Sequence, residues 1–361
     1  MAAYTTVDDP SAHFQTTLYT GTGSEQAITN AGNSDLQPDL IWIKRRDAAN
    51  AHRVMDSTRG GNKYVGTHIG TAEATFTFVN SFNSDGANVS GDTSTSASSG
   101  TFVMWQWKAG GGSGNRTTFS ESGDNPGGGY QANADGGFSI VDFTGTQDAG
   151  TIAHGLGAAP KFILMKDRDA GRSWCIYHHQ MGSDPNDMVA HFNTTAVPVD
   201  YGNSYWNGTD PTSSVFSVHD AHDNNYNDRT YICYVWTEIQ GYSKFGKYVG
   251  SGNANGPFVY TGFKPGLIIT KSIDDTNNWI IHDTKRDPYN PCTEKLSTDS
   301  LGLTNDGAIA ASGDENIDIL SNGFKMRSDD DKTNKSGSDF VYMAWAVEPL
   351  VTSGGVPATA R

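Results

Sequence analysis

The sequence predicts an all-β protein that contains three related antiparallel β-sandwich units in tandem. Three observations support this: a pattern that recurs three times, a composition rich in glycine and aromatic residues, and very little helical periodicity. Of 361 residues, 42 are glycine and 11% are aromatic, whereas only 18% are charged. Apolar runs separated by Gly, Asn, Asp and Ser clusters are typical of short strands joined by tight turns. The continuous apolar runs suit strands that are buried on both faces.

The triplication is visible in the order and spacing of motifs. Each copy has a glycine-containing turn, then a proline six positions before a lysine, and finally an aromatic strand. The prolines are Pro38, Pro160 and Pro265, and the lysines are Lys44, Lys166 and Lys271. The aromatic strands contain the tryptophans Trp107, Trp236 and Trp345. We therefore expect the prolines and tryptophans to occupy equivalent core sites in the three units.

The repeat length indicates domains rather than short stacked modules. Its period is on the order of 100 residues, the usual size of a domain that can bury its own core. The predicted order is an arm (1–13), a first unit (14–110), a Gly/Ser-rich linker (111–136), a second unit (137–243), a third unit (244–350) and a tail (351–361). We expect the linker to be flexible or to lie along the surface. The tail is expected to dock on another surface or to remain loose.

Charge and cysteine content exclude several classes of protein. The formal net charge of −15 disfavours nucleic-acid binding, because phosphates would be repelled. No apolar window is long enough to insert into a membrane, and the first residues do not have the features of a signal peptide. Cys175, Cys233 and Cys292 cannot all pair within one chain, so we expect buried thiols in a protein made in a reducing cytoplasm.

The densest group of candidate metal ligands lies just before the closing strand of the second unit. It contains His219, His222 and Asp223, and this combination could hold a divalent ion. The other two units have no such set at this position, and the chemistry of Asn- and Asp-rich turns explains the composition. We therefore expect a solvated turn, with no metal and no other cofactor.

A second recurring element combines aromatic and polar residues. The residues eight positions after the three lysines are His52, Trp174 and Trp279. The residues four positions after these are Asp56, His178 and Asp283. Such a set could perform acid–base catalysis. Because no partner residues recur with it, we interpret it as a buried strand with a polar residue at its exit. We predict that the protein is not an enzyme.

One loop of the second unit has the composition of a carbohydrate-binding surface. Its candidate residues are Tyr201, Asn203, Tyr205, Trp206 and Asn207. Aromatic faces stack on sugar rings, and amides form hydrogen bonds with hydroxyl groups. We expect exposed rings here if the protein contacts glycans. The alternative, that these aromatics simply cover the sandwich, stays open.

Several motifs resemble those of tandem-repeat virion structural proteins, often described as tail-fibre-like, from marine tailed phages of cyanobacteria or Pelagibacter-type hosts. The motifs are YTTVDDPSAHFQT (4–16), YTGTG (19–23), LQPDLIWIK (36–44), DSTRG (56–60), SFNSDG (81–86), WQWKAG (105–110) and VPATAR (356–361). The resemblance covers nearly the whole chain and implies a virion protein without an established catalytic activity. The third unit carries DTKRDP (283–288) in place of DSTRG. Whether contacts of the first unit recur there stays open.

Two functional classes follow from this resemblance. In the first, the protein is an exposed tail-fibre or adhesin-like module that contacts host surface polysaccharide. In the second, it is a capsid decoration or tail joining protein that stabilises the particle. Both imply a virion location, other virion proteins as partners and a homo-oligomer. A third class, a glycan-degrading enzyme, would require a pair of carboxylates at glycosidase spacing, and no motif indicates one.

Overall fold

The computed structural model describes residues 4–301 and 315–359, so the ends of the predicted arm and tail lie outside the described residues. The protein is almost entirely β-structure, which confirms the predicted fold class. The helices among the described residues are short: 3₁₀ turns at Pro10–Ala12, Ser113–Asn115 and Gly202–Ser204, and α1 at Asp331–Asn334. No helix in these ranges is long and apolar enough to cross a membrane.

The first unit contains a four-stranded and a three-stranded sheet. Its strands are β1 (Phe14–Thr20), β2 (Gln26–Ile28), β3 (Leu40–Arg45), β4 (Arg53–Asp56), β5 (Lys63–Tyr64), β6 (Ala74–Thr75), β7 (Val79–Phe82), β8 (Ala87–Val89) and β9 (Thr101–Trp107). The four-stranded sheet has the order β1-β9-β3-β4, and the three-stranded sheet has the order β2-β8-β7. Strands β5 and β6 form a separate hairpin.

The second unit contains an eight-stranded sheet and a two-stranded sheet. Its strands are β10 (Thr117–Phe119), β11 (Gly128–Asn133), β12 (Phe138–Thr144), β13 (Gly150–Ala153), β14 (Phe162–Asp167), β15 (Cys175–His178), β16 (Met188–His191), β17 (Val199–Asp200), β18 (Val215–Val218) and β19 (Thr230–Trp236). The large sheet has the order β10-β11-β12-β19-β14-β15-β16-β17, and β13 pairs with β18.

The third unit contains a five-stranded and a three-stranded sheet. Its strands are β20 (Ser243–Val249), β21 (Phe258–Tyr260), β22 (Phe263–Ser272), β23 (Ile280–Asp283), β24 (Lys295–Ser297), β25 (Ile317–Leu320), β26 (Gly323–Met326) and β27 (Asp339–Pro349). The sheets have the orders β20-β27-β22-β23-β24 and β21-β26-β25. Each large sheet thus contains the same succession: β1-β9-β3-β4, β12-β19-β14-β15 and β20-β27-β22-β23.

The recurring glycine turn follows the first strand of each of these three successions. A Cβ atom added at Gly21, Gly145 or Gly250 would lie 2.1–2.3 Å from a backbone carbonyl oxygen. Each of these glycines also donates its N–H to a carbonyl just before the closing strand, at Gly100, Arg229 and Ser338. Only glycine permits this close approach of two backbones. The repeated motif is therefore a packing requirement of the turn.

The predicted linker forms part of the large sheet of the second unit. Strand β10 lies inside residues 111–136, and β11 pairs along its whole length with β12. Ladder hydrogen bonds use only backbone groups, so a glycine-rich segment can pair where its neighbour leaves no room for a side chain. At Gly128 a Cβ atom would lie 2.1 Å from the carbonyl oxygen of Asp142. Residues 117–119 and 128–133 of the predicted linker are therefore paired strands of this sheet and not a flexible segment.

The large sheets are buried on both faces, as the continuous apolar runs predict. In β3, Ile41 and Ile43 face an outer core within the first unit, whereas Leu40 and Trp42 face a cluster shared by all three units. The alternation follows from the two-residue period of a strand. The second unit has its own outer core, which includes Val141 and Ile163. The units were expected to bury separate cores, and the shared cluster is the main difference from that expectation.

Trp107, Trp236 and Trp345 meet one another at the centre of the shared cluster. Their ring centroids are 5.4–5.9 Å apart and all three pairs are edge to face. All three side chains are at most 4% exposed. Their indole N–H groups have no hydrogen-bond acceptor within the described residues. Pro38, Pro160 and Pro265 are also buried, and Pro265 lies at a bulge in the pairing of β22 with β27.

The arm and tail pack on the chain itself. The Tyr4 hydroxyl donates to the carbonyl of Gly262 at 2.7 Å, and the Thr5 hydroxyl donates to the carbonyl of Gln240 at 2.7 Å. The backbone N–H of Ser353 in the tail donates to the Asp8 carboxylate at 2.6 Å. The arm therefore connects the start of the chain to the third unit and the tail.

We predict that Trp236→Ala lowers the free energy of unfolding by about 3–5 kcal/mol, the usual cost of a buried aromatic truncation. A second truncation at Trp345 should not be additive, because the two rings touch; we expect a coupling energy of about 0.5–1.5 kcal/mol. Urea denaturation of the single and double variants measures both quantities. Trp206, buried in the outer core of the second unit, is the control: its truncation should be additive with Trp236→Ala.

Candidate functional site

The recurring His52, Trp174 and Trp279 form a cycle of contacts between the units. The indole N–H of Trp174 donates to the carbonyl of Gly66 in the first unit at 2.8 Å, and that of Trp279 donates to the carbonyl of His191 in the second at 3.1 Å. The His52 Nε2 atom lies 3.2 Å from the carbonyl of Ser300 in the third unit. Each unit thus contacts its predecessor, and the first contacts the third.

Asp56, His178 and Asp283 extend the same cycle. Tyr234 of the second unit donates its hydroxyl to Asp56 of the first at 2.8 Å, and Trp105 of the first donates its indole N–H to Asp283 of the third at 3.2 Å. The His178 Nε2 atom lies 3.2 Å from the carbonyl of Tyr342 in the third unit. All three residues are fully buried, so this set joins the units where no substrate from solvent reaches it.

An Asp-x-x-Arg pair supports two of these positions. The Arg59 Nε atom lies 2.6 Å from Asp56, and the Arg286 Nε atom lies 2.5 Å from Asp283, all with side chains at most 1% exposed. In both pairs the arginine backbone N–H also donates to the aspartate at 2.8 Å. The contact of the first unit therefore recurs in the third despite the changed motif, because it needs only the aspartate and the arginine.

Lys44, Lys166 and Lys271 are fully buried. Each amine donates to the carbonyl of the next residue, at 2.7–2.8 Å. Burial lowers the pKa of each of the three amines to about 8 from the ordinary 10.5. The repeated lysine therefore ties the end of a central strand to its own turn, at a cost in desolvation.

The predicted glycan loop is only partly exposed. Trp206 is 1% exposed and donates its indole N–H to the carbonyl of Met188 at 3.1 Å, and Tyr205 is 8% exposed. Tyr205 and Trp206 therefore follow the alternative in which the aromatics cover the sandwich, because both fill the outer core of the second unit. Tyr201 is 41% exposed and packs on Tyr205, and Asn203 is exposed. Asn207 is half-buried with a positive φ of 53°, which indicates a turn residue.

The candidate metal ligands of the turn have different partners. His219 lies 2.8 Å from Asp220, and the His222 Nδ1 atom lies 3.4 Å from Arg172. Asp223 points to another group, in which its carboxylate, the Cys175 thiol and the His191 ring lie within 4.8 Å of one another. Sequence reasoning missed Cys175 and His191 because they come from β15 and β16, far from the turn in the chain.

A long open groove lies where the second unit meets the third. It comprises two adjoining parts of about 460 and 730 Å³ that share Lys161, His179, Gln180 and Lys247. The His179 Nε2 atom lies 2.7 Å from the carbonyl of Phe245 across the junction. Each unit therefore supplies one wall, and the groove depends on the packing of both.

Two exposed aromatic side chains line the wall of the third unit. Phe258 and Tyr260 are 46% and 48% exposed, and both point outward from β21 because they are two residues apart. The Lys244 amine lies 5.6 Å from the centre of the Tyr260 ring. Lys161 and Lys244 line the groove together with the carboxylates of Asp210 and Glu238. Exposed rings beside groups of both charges suit a ligand with apolar faces and polar groups.

The sequence contains no distinctive signal for this groove. Pro257-Phe258-Val259-Tyr260 is a short aromatic run bounded by a proline and a glycine, which resembles any buried strand. The structure shows that Phe258 and Tyr260 lie on the exposed face of the three-stranded sheet, whereas Val259 between them is buried.

A family model described as a domain of unknown function (DUF7483) matches residues 9–349. The chain belongs to this family. The matched range includes residues of all three units, so the family model describes the three units together. No curated protein and no solved structure matches the chain.

We predict that Asp283→Ala lowers the free energy of unfolding by about 3–5 kcal/mol, because it leaves the buried Arg286 guanidinium without its carboxylate. Asp56→Ala should cost less, because Arg59 keeps its ion pair with Glu73 at 3.0 Å. The control is Asp47→Ala, which breaks the more exposed pair with Arg45 and should cost at most about 1 kcal/mol. Chemical denaturation measures all three. Equal small losses would contradict the role of the buried pairs.

We also predict a pH-dependent effect of Lys271→Met. The pKa of Lys271 is lowered in the folded state to about 8 from 10.5, so between these values the unfolded chain binds more protons than the folded one. The stability of the wild type relative to the variant should therefore rise as the pH increases from about 8 to about 10.5. Urea denaturation across this range tests it, with the exposed Lys285→Met as control. A difference independent of pH would contradict the lowered pKa.

Proposed function

We propose that this chain is a non-enzymatic structural protein of a tailed-phage virion and contacts host surface polysaccharide through the groove between its second and third units. The resemblance of its motifs to tail-fibre-like virion proteins supports the particle role. The exposed Phe258 and Tyr260 beside Lys161 and Lys244 support the glycan contact. Other virion proteins and further copies of the chain are the proposed partners.

The chemistry of the groove favours a largely neutral polysaccharide. The protein carries a net charge of −15, so a polyanion is repelled from most of its surface. Lys161 and Lys244 supply local cations, but the carboxylates of Asp210 and Glu238 line the same groove, and Lys247 is paired with Asp339 at 3.0 Å. Phe258 and Tyr260 present faces on which sugar rings stack, and Gln180 can form hydrogen bonds with hydroxyl groups.

Tyr201 and Asn203 form a second exposed surface on the second unit. Only one ring there is exposed, so it offers a smaller stacking area than the groove. A capsid decoration or tail joining role is the alternative function. Ile69 and Phe76, which are 42% and 47% exposed in the first unit, favour it, because such side chains can be buried against a neighbouring protein.

We predict that the double substitution Phe258→Ala and Tyr260→Ala weakens binding to host polysaccharide roughly tenfold or more, since exposed aromatic anchors dominate such contacts. Binding of the purified protein to extracted host polysaccharide and to whole host cells measures this. Tyr289→Ala, which removes a 77% exposed ring elsewhere in the third unit, is the matched control and should bind as the wild type does.

The remaining outcomes distinguish the alternatives. Loss of binding in Tyr201→Ala with the groove variant unaffected would place the contact on the loop of the second unit. If no variant affects adsorption, and Ile69→Ser with Phe76→Ser abolishes incorporation into particles, the protein is a decoration or joining protein and the receptor role is overturned.

A further inference from the structure

Cys175, His191 and Asp223 form a side-chain cluster that no feature of the proposed function uses. Cys175 lies on β15 directly opposite His191 on β16, so their side chains are on one face of the sheet. Asp223 comes from the loop before β19 and covers them. The Cys175 thiol lies 3.6 Å from the carbonyl oxygen of Asp223, and one ligand atom from each of the three residues lies within 4.8 Å of the others.

From this arrangement we propose that the second unit contains a binding site for a zinc-like transition-metal ion, with Cys175, His191 and Asp223 as ligands. Thiolate, imidazole and carboxylate are the three donor types that Zn²⁺ takes in proteins. Three protein ligands leave a fourth tetrahedral position for water or another small ligand. The proposal is independent of the glycan contact.

The cluster needs little rearrangement to bind an ion. Tetrahedral coordination with bond lengths of about 2.0–2.3 Å places ligand atoms about 3.5 Å apart, so side-chain shifts on the order of 1 Å are enough. The His191 Nδ1 atom lies 3.4 Å from the carbonyl oxygen of Trp174. A proton on Nδ1 leaves Nε2 free to bind a metal, which is the usual arrangement around metal-binding histidines.

The surroundings of the cluster are compatible with a bound cation. Arg172 lies 3.8 Å from Asp223, but its side chain is 39% exposed and can turn into solvent. The Lys166 amine donates to the carbonyls of Asp167 and Ala170. The Tyr205 hydroxyl lies 3.4 Å from the second carboxylate oxygen of Asp223 and can support that ligand.

The loop that carries Asp223 is fixed by its neighbours. Asn224 donates its side-chain amide to the carbonyl of Tyr205 at 2.6 Å, and Asn225 donates to the carbonyl of Asp148 at 2.7 Å. Both asparagines are fully buried. The hydrogen bonds of these two side chains therefore hold Asp223 beside Cys175 and His191.

Titration of the full chain with Zn²⁺ and with Co²⁺ tests the proposal. We expect one ion per chain and, with Co²⁺, a thiolate-to-metal charge-transfer band. Cys175→Ser should abolish that band and weaken zinc binding roughly tenfold or more, and Asp223→Asn should weaken binding while keeping the band. The matched controls are Cys233→Ser and Cys292→Ser, because both thiols are also fully buried.

Folding of each variant is checked by its circular dichroism and thermal transition. His191→Gln, at a partly exposed position, provides a second ligand variant if Cys175→Ser does not fold. The proposal is overturned if the wild type binds no zinc, or if the ligand variants bind as tightly as the controls do.

Discussion

The mutual packing of Trp107, Trp236 and Trp345 is the contact on which the arrangement of the three units depends. Each ring belongs to a different unit and touches the other two. An aromatic side chain buries a large apolar area and gains more from edge-to-face contact. One unit alone would expose its ring and the inner face of its large sheet to water. The three large sheets therefore share one interior.

Polar contacts make that association specific. Around the apolar centre, each unit donates hydrogen bonds to the one before it, and the first contacts the third. The buried pairs of Asp56 with Arg59 and Asp283 with Arg286 hold acceptors in place for Tyr234 and Trp105. Such groups contribute little net stability when paired, but misplacing them leaves a buried charge without a partner. They favour one arrangement of the units over others.

The association also determines where ligands can bind. The recurring positions that resemble a catalytic set form contacts between units and are buried. The surfaces that remain available for ligands are therefore those that the repeats do not share. The groove lies at the junction of the second and third units, and the cluster of Cys175, His191 and Asp223 occurs only in the second. The position of Cys175 is occupied by Arg53 in the first unit and by Ile280 in the third. In this protein, candidate binding sites follow the differences between the repeats.

The sequence by itself determined the fold class and the repeated order of motifs. These depend on local rules: a strand buried on both faces reads as a continuous apolar run, and a turn that allows two backbones to touch requires glycine. The burial of Trp107, Trp236 and Trp345 followed from the same pattern. The contact of the three rings with one another did not follow from it. A periodic pattern indicates which face of a strand is buried, but not which other residues cover that face.

The tertiary structure decided which polar and aromatic residues are available. Tyr205 and Trp206 have the composition of a binding loop, yet they are buried, whereas Phe258 and Tyr260 resemble core residues and are exposed. Asp223 was grouped with its neighbours in sequence, but it lies beside Cys175 and His191. These outcomes depend on contacts between residues far apart in the chain. The pairing of strands and the docking of units fix such contacts, and composition or spacing within one segment cannot encode them.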